Sequence, residues 1–147
     1  MIKYWILVAS REHVLIGLKE NIAQVCHGKA IPLKKIKKND YIIYYSPKEI
    51  FMQNILCNKF TAIGKVQDDE IYQFEMSKDF IPWRRKIEYF KSKEVEIKPL
   101  IESLSFIKNK KSWGMYFRYG IIEIDKNSFD IIAKNMLKND LINNLIF

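Results

Sequence analysis

The chain has 147 residues, and its 25 lysines and arginines exceed its 17 aspartates and glutamates to give a formal net charge of +8. With 48% hydrophobic residues, five glycines and four prolines, the composition excludes a disordered or low-complexity chain. No apolar run in the sequence approaches the ~18 residues of a membrane span, and the two cysteines make no disulfide framework. We expect one domain over residues 1–147, in a reducing cytoplasmic compartment.

The first half of the chain predicts two strands separated by short helices. In order, the pattern indicates a strand over 3–9, a helix capped by Ser10 with Val14, Leu15 and Leu18 on its apolar face, an extended segment over 22–25, a short helix from Pro32 to Ile36 and a strand over 41–45 ended by Ser46 and Pro47. Residues 48–58 are irregular and are expected to form a loop.

The second half predicts further strands and a terminal helix. The pattern indicates a strand over 60–66, its hairpin partner over 71–75, strands over 83–90 and 95–97, a helical turn from Pro99 to Leu104, a strand over 121–124 and a helix capped by Asp125. The apolar segment 141–147 is expected to pack back on the domain or to fray. Because about six or seven strands do not alternate with helices, we expect an α+β domain built on a strongly bent sheet or small barrel.

Arginine use is the informative part of the positive charge. A basic balance favours a polyanionic partner, but most of it is lysine, in clusters within 29–38, 84–93 and 108–111. The four arginines, each in a segment with a serine or an aromatic residue, are Arg11, Arg84, Arg85 and Arg118. Because a guanidinium makes bidentate contacts to a phosphate or a base edge, these four are the better site candidates. The alternative is that they form ordinary structural ion pairs.

Catalytic and metal-binding signatures are absent from the sequence. It contains no G-x-S-x-G, P-loop, G-x-G-x-x-G or H-E-x-x-H motif. The nitrogen and sulfur ligands are confined to His13, Cys26, His27 and Cys57, with no C-x-x-C pair, so we expect no metal and no cofactor. Adjacency of Cys26 and His27 in sequence is not the geometry of a nucleophile–base dyad, and we expect a buried cysteine beside a loop histidine.

Aromatic residues with polar or cationic neighbours favour the stacking of bases, which contributes about 1–3 kcal/mol per base. At least half of the aromatic residues are expected to belong to the core. Trp83 and Trp113 lie in polar, loop-like contexts and are the better pocket candidates.

A series of short motifs along the chain carries a family resemblance. The motifs are Lys3-Tyr4-Trp5-Ile6, Ser10-Arg11-Glu12-His13-Val14, Ala23-Gln24-Val25-Cys26-His27-Gly28-Lys29, Pro32-Leu33, Tyr44-Tyr45-Ser46-Pro47, Phe60-Thr61-Ala62-Ile63-Gly64, Tyr72-Gln73-Phe74-Glu75-Met76, Arg84-Arg85, Trp113-Gly114 and Phe117-Arg118-Tyr119-Gly120. In this order and spacing, from residue 3 to about 136, the chain resembles the stand-alone EVE domain proteins of the PUA-like superfamily.

The resemblance implies a PUA-like fold, a curved mixed sheet or pseudobarrel flanked by short α-helices. It also implies a non-catalytic module that takes a flipped, modified base of DNA or RNA into a pocket. By motif, the resemblance implies a pocket with Ser10 and Arg11 at its mouth. Its second wall is formed by Cys26, His27, Gly28 and Lys29, and its third by Tyr45, Ser46 and Pro47. Stacking or phosphate contacts come from Trp83, Arg84 and Arg85, and the pocket is closed by Trp113, Phe117 and Arg118.

Two other functions remain open from the sequence. Some PUA-like relatives hydrolyse acylated bases, and for a small hydrolase or amidohydrolase of modified nucleosides the first residues to test are Cys26, His27, Lys29 and Glu75. The third interpretation is a protein-interaction domain whose charge is incidental. The sequence leaves open the base modification, the choice of DNA or RNA, and the oligomeric state.

Overall fold

The structure, a computed structural model, describes residues 1–138 of the chain. Within this range the strands are β1 (Tyr4–Val8), β2 (Ile22–Ala23), β3 (Tyr41–Lys48), β4 (Leu56–Val66), β5 (Tyr72–Gln73), β6 (Trp83–Tyr89), β7 (Val95–Glu96) and β8 (Ile121–Ile124). The α-helices are α1 (Arg11–Glu20), α2 (Ala30–Lys34) and α3 (Lys126–Met136), and short 3-10 turns cover Cys26–Gly28, Lys98–Ser103 and Trp113–Phe117. The apolar segment 141–147 lies outside the described residues.

The two predicted helix caps are confirmed by their hydrogen bonds. Ser10 Oγ accepts from the backbone N–H of His13 at 3.4 Å, and the Asp125 carboxylate accepts from the N–H of Ser128 at 2.9 Å. Both side chains satisfy amides that a helix leaves unpaired in its first turn. None of the helices in residues 1–138 is long and apolar enough to cross a bilayer.

The strands form one mixed sheet in the order β2-β6-β4-β3-β1-β8, with β5 paired to β6 and β7 paired to β4. β1 and β3 are parallel, with Ile6 opposite Ile43, and the other strand pairs are antiparallel. A parallel pair needs a crossover, and here α1, β2 and α2 supply it. The α+β class and the curved mixed sheet with short helices are therefore confirmed.

Each face of the sheet is covered by its own apolar core. Alternation along β3 sends Ile43 and Tyr45 to one face, against α3, and Ile42 and Tyr44 to the other, against α1 and α2. Burial on both sides explains why β1 and β3 read as continuous apolar runs rather than as alternating ones.

Two expectations about the strands are corrected by the structure. Pro47 does not end β3: the register against β4 shifts between Ser46 and Lys48, and this irregularity accommodates a residue without an N–H. The loop is consequently shorter than 48–58, and covers 49–55. The segment after Val66 does not form a hairpin with β4, because β4 pairs there with β6, and β5 pairs with β6 instead.

The buried face of α1 also differs from the expected one. Val14 and Gly17 face the core and Leu18 is half-buried, whereas Leu15 is 41% exposed. Gly17 is needed at this position because a β-carbon there would lie 2.7 Å from the carbonyl oxygen of Ile22. This close approach brings α1 against β2, and both elements contribute to the cavity described next.

Candidate functional site

A cavity of about 700 Å³ lies where β1 ends and α1 begins. Its walls come from the end of β1, α1, the segment 22–28, the end of β3 with the following loop, the segment 76–80, and the 117–120 junction. The lining residues are Val8, Ala9, Ser10, His13, Ile16, Gly17, Ile22, Gln24, Val25, Cys26, His27, Gly28, Tyr44, Pro47, Lys48, Phe51, Met52, Met76, Phe80, Phe117, Arg118, Tyr119 and Gly120.

One wall is a left-handed turn over Cys26–Gly28. Cys26, His27 and Gly28 have φ values of 50°, 61° and 80°, and the N–H of Gly28 donates to the carbonyl of Val25 at 2.9 Å. Only a glycine fits at position 28, because a β-carbon would collide with Pro82. This backbone makes adjacent side chains, those of Cys26 and His27, line the same cavity, which an extended strand would not do.

A second wall is organised around Gln24. Its backbone N–H donates to the Tyr44 hydroxyl at 3.2 Å, and its carbonyl accepts from that hydroxyl at 2.8 Å. Burial raises the pKa of Tyr44, so the phenol stays protonated and able to donate. The Gln24 side-chain oxygen accepts from Arg84 Nε, and Arg84 is also paired with Glu20 at 2.8 Å. The guanidinium carbon lies 4.1 Å from the ring centroid of Phe74, in a cation–π contact.

Another part of the cavity lining is aromatic and exposed. The ring of Phe51 lies 6.3 Å from that of His13 and 5.6 Å from that of His27, centroid to centroid. Phe51 is 52% exposed, and the neighbouring Met52 is 84% exposed with φ at 64°, a left-handed conformation uncommon outside glycine. This part of the lining therefore presents flat apolar surface to solvent.

The polar part of the described cavity lining consists of hydrogen-bond donors and cationic side chains. Lys48 and Arg118 contribute positive charge, and no aspartate or glutamate of residues 1–138 is among the lining residues. The Cys26 thiol donates to the carbonyl of Tyr119 at 3.7 Å, so its proton is directed at the backbone. Such a lining suits a partner that presents hydrogen-bond acceptors or negative charge.

Several of the predicted site residues meet in this cavity. They come from four separate parts of the chain, and they are Ser10, Cys26, His27, Gly28, Pro47, Phe117 and Arg118. We expected Cys26 to be buried, and this expectation is wrong because Cys26 is only half-buried. His27 beside it is exposed.

The predicted arginines other than Arg118 lie outside the cavity lining, because each has a structural partner. Arg11 Nε donates to both oxygens of Glu94, at 2.9 and 3.0 Å, and this hydrogen bond raises the Arg11 pKa. Arg84 is 3% exposed and holds Gln24. Arg85 is buried and donates to the carbonyls of Leu33 and Asp68, and desolvation lowers its pKa.

The other predicted residues outside the lining belong mostly to the two cores. Tyr45 is buried with its hydroxyl donating to Asn58, and Ser46 shares a 2.9 Å hydrogen bond with Thr61. Trp83 and Trp113 are half-buried and pack against one core each, and Lys29 is exposed.

Other lining residues were not among the predicted ones. They include His13, Gln24, Lys48, Phe51, Phe80 and Tyr119. His13, Gln24 and Tyr119 lie inside the motifs that carry the family resemblance, so the motifs could have identified them as site residues. Phe51 and Phe80 lie in loops where no periodic pattern marks a role. No group of three or more potential metal-ligating side chains occurs in the described part of the chain.

A curved mixed sheet flanked by short helices, with a cavity at the end of its parallel strand pair, defines a domain of the PUA-like class. Among solved structures the fold is similar to the MmI1 YTH domain, with a TM-score of 0.58, 18% identity and coverage of 98% of this chain and 97% of that one. It is also similar to a hypothetical protein from Leishmania major, with a TM-score of 0.56, 9% identity and coverage of 100% and 98%.

The chain belongs to the EVE domain family, whose model matches residues 3–135. It is 48% identical over 129 residues to the "UPF0310 protein in gntR 5'region" of Bacillus licheniformis, with 88% of each chain covered. It is 44% identical over 132 residues to a UPF0310 protein of Mycolicibacterium gilvum, with 90% of this chain and 94% of the relative covered. The family resemblance drawn from the motifs is therefore confirmed.

Proposed function

We propose that this chain is a non-catalytic nucleic-acid-binding module that holds one flipped, modified base in the cavity beside Arg118. The observation that carries the proposal is the lining itself, which combines aromatic faces, hydrogen-bond donors and cations and contains no carboxylate within residues 1–138. A base that leaves its stack needs a flat apolar surface to replace the stacking and polar groups to satisfy its edge. The cavity supplies both.

The size of the cavity suits a single base, and the positive charge supports a polymer partner. A cavity of about 700 Å³ falls within the range of small-ligand pockets and leaves room for a base with a substituent. Lys48 lines the cavity, where it is available to the phosphates flanking a flipped nucleotide, and Arg118 lines it as a donor for the base edge. The net charge of +8 adds a general attraction to DNA or RNA that does not depend on sequence.

The test is a binding titration by fluorescence anisotropy. The probes are short single-stranded DNA and RNA oligonucleotides, unmodified or with one central 5-methylcytosine, 5-hydroxymethylcytosine or N6-methyladenine. The wild type is expected to prefer at least one modified oligonucleotide over the unmodified one. Arg118→Gln is expected to lower that preference by about tenfold, the loss of one good polar contact to the base.

The matched control removes an exposed cation away from the cavity. Lys111 is exposed and is not a lining residue, so Lys111→Gln is expected to reduce affinity equally for modified and unmodified probes. Equal affinity of the wild type for every probe would contradict the proposal. So would an undiminished preference in Arg118→Gln.

A protein-interaction role is the second candidate, and a specific observation favours it. Apolar side chains are exposed at the cavity and beside it, among them Phe51, Met52, Phe74, Phe80 and Ile81. Exposed apolar patches mark protein-binding surfaces as well as ligand sites. The salt dependence separates the two roles, because phosphate contacts make affinity fall steeply with salt whereas an apolar protein interface does not.

A hydrolase role is tested by the same preparation. Cys26 and His27 line the cavity, but Lys29 and Glu75, the other residues expected for that role, are not among its lining residues. Turnover of modified nucleosides that is lost in Cys26→Ser would establish this role in place of the proposed one.

A further inference from the structure

The side-chain amide of Gln24 is held in one orientation by a buried arginine. Arg84 has donors only, so the atom of Gln24 that faces Arg84 Nε is the carbonyl oxygen Oε1. The amide nitrogen Nε2 is therefore the free end, and it has no hydrogen-bond partner among the described residues. Gln24 lines the cavity and Nε2 is not a buried atom, so the side chain offers this nitrogen as a donor.

Gln24 and Arg84 are each held in place by several contacts. Tyr44 holds both the N–H and the carbonyl of Gln24, as described above. Arg84 is 3% exposed and is held by the Glu20 carboxylate at 2.8 Å and by the face of Phe74. Its Nη2 is buried with no hydrogen-bond partner within residues 1–138. A buried guanidinium is costly to desolvate, and Gln24, Glu20 and the ring of Phe74 are the partners that offset this cost and fix its position.

We infer that Gln24 is a specificity-determining residue that donates from Nε2 to an acceptor on the base edge, and that Arg84 is the residue that positions it. This inference rests on the proposed function and deepens it. An edge that suits the donor has a carbonyl oxygen or an unprotonated ring nitrogen. Guanine suits the lining less well, because beside its O6 acceptor the same edge presents the N1–H and N2–H₂ donors, and the described lining contains no carboxylate to accept them.

Gln24→Glu removes the Nε2 donor and keeps the contact with Arg84. Glutamate keeps an oxygen for Arg84 Nε but replaces the amide donor with an acceptor. On the oligonucleotide that the wild type prefers among the 5-methylcytosine, 5-hydroxymethylcytosine and N6-methyladenine probes, we expect about a tenfold loss of preference. The melting temperature is expected to be unchanged or raised, because the Arg84 contact becomes an ion pair.

Gln24→Met removes the donor and the acceptor together and serves as the comparison. It is expected to lose the same preference and, unlike Gln24→Glu, to melt at a lower temperature, because Arg84 Nε is left unpaired. An undiminished preference in both variants would overturn the inference while leaving the proposed function intact. If the wild type itself prefers none of the probes, the proposed function fails and the inference falls with it.

The positioning role of Arg84 needs a readout that a loss of packing does not mimic. In an amide NMR spectrum, the Gln24 side-chain NH₂ signals, identified by their absence in Gln24→Glu, are expected to move when the wild type binds the preferred oligonucleotide. In Arg84→Lys the ammonium has no guanidinium Nε to hold Oε1 of Gln24. We therefore expect a smaller change in the chemical shifts of the Gln24 NH₂ signals on binding, together with a weaker base preference. A wild-type change in chemical shift and an undiminished preference in a folded Arg84→Lys would show that Arg84 does not position Gln24.

Discussion

Gly120 and Cys26 both line the cavity and pack directly against each other. A β-carbon at position 120 would lie 2.6 Å from Cys26 Sγ. Gly120 has φ at 75°, and the carbonyl of the preceding Tyr119 accepts from the Cys26 thiol at 3.7 Å. The junction before β8 therefore packs without a gap against the left-handed turn at Cys26–Gly28. The shape of the cavity depends on both segments.

Gly120→Ala is expected to disturb both stability and binding. Alanine is strained at a positive φ, and its methyl group displaces Cys26, so we expect a loss of about 1–3 kcal/mol in the free energy of unfolding. Urea denaturation measures this loss, and the anisotropy titration is expected to show weaker binding of the preferred oligonucleotide. Gly114→Ala is the control, since a β-carbon there meets nothing within 4 Å. Equal stability of the two variants would contradict this account of the junction.

Asp40 connects the start of β1 to the turn that precedes β3. Its buried carboxylate accepts from the backbone N–H of Lys3 at 3.0 Å, from the indole Nε1 of Trp5 at 2.9 Å and from the N–H of Lys37 at 2.9 Å. In Asp40→Asn one of these donors faces an NH₂ group, so we expect a loss of about 1–3 kcal/mol in the free energy of unfolding.

Urea denaturation followed by tryptophan fluorescence measures the Asp40→Asn effect. Asp69→Asn is the matched control, because Asp69 is exposed and accepts a single hydrogen bond, from the N–H of Lys38. Its expected effect is below about 0.5 kcal/mol. If the two substitutions cost the same, the three bonds to Asp40 do not hold the parallel strand pair together.

Asp125 links the stability of α3 to pH. Burial raises its pKa, but hydrogen bonds from the N–H and hydroxyl of Ser128 and from the Ser105 hydroxyl outweigh this and lower the pKa overall. A depressed folded-state pKa contributes stability that is present above the unfolded pKa of about 3.9 and is lost as pH falls through the folded value. Asp125→Ala is therefore expected to cost about 1 kcal/mol at neutral pH and progressively less below about pH 4.

Thermal unfolding of wild type and variant across this pH range measures the Asp125 effect. Asp125→Ser keeps a capping oxygen without a titrating group, so its stability is expected to lack this part of the pH dependence. A difference between wild type and Asp125→Ala that stays constant down to pH values well below about 3 would show that the carboxylate charge is not involved.

The fold was largely predictable because its signals are local. Ser10 and Asp125 stand directly before helices that they cap, and the β1 and β3 runs are apolar throughout because both faces of the sheet are covered. The strand pairing was less predictable, because the register shift at Pro47 and the pairing of β6 with β4 depend on contacts distant in sequence.

The site was predicted less completely, for a related reason. Arg11 and Arg84 were selected by their neighbours in sequence, but their partners Glu94 and Gln24 lie 83 and 60 residues away. A partner at that distance leaves no trace in local composition, so an arginine in an ion pair looks like one available to a phosphate. Phe51 lies in an irregular loop, and only the folded chain brings its ring to His13 and His27.

The most direct measurement of the central claim places a large ring in the cavity and tests whether the base preference disappears. Ile16 and Leu15 are neighbours on α1 with similar exposure, 37% and 41%, but only Ile16 lines the cavity. For Ile16→Trp we expect the preference for the modified oligonucleotide to be abolished while salt-dependent binding of the unmodified one persists. Leu15→Trp is expected to retain the wild-type preference. A preference that survives in Ile16→Trp, or that is lost equally in both variants, would contradict recognition of the base in this cavity.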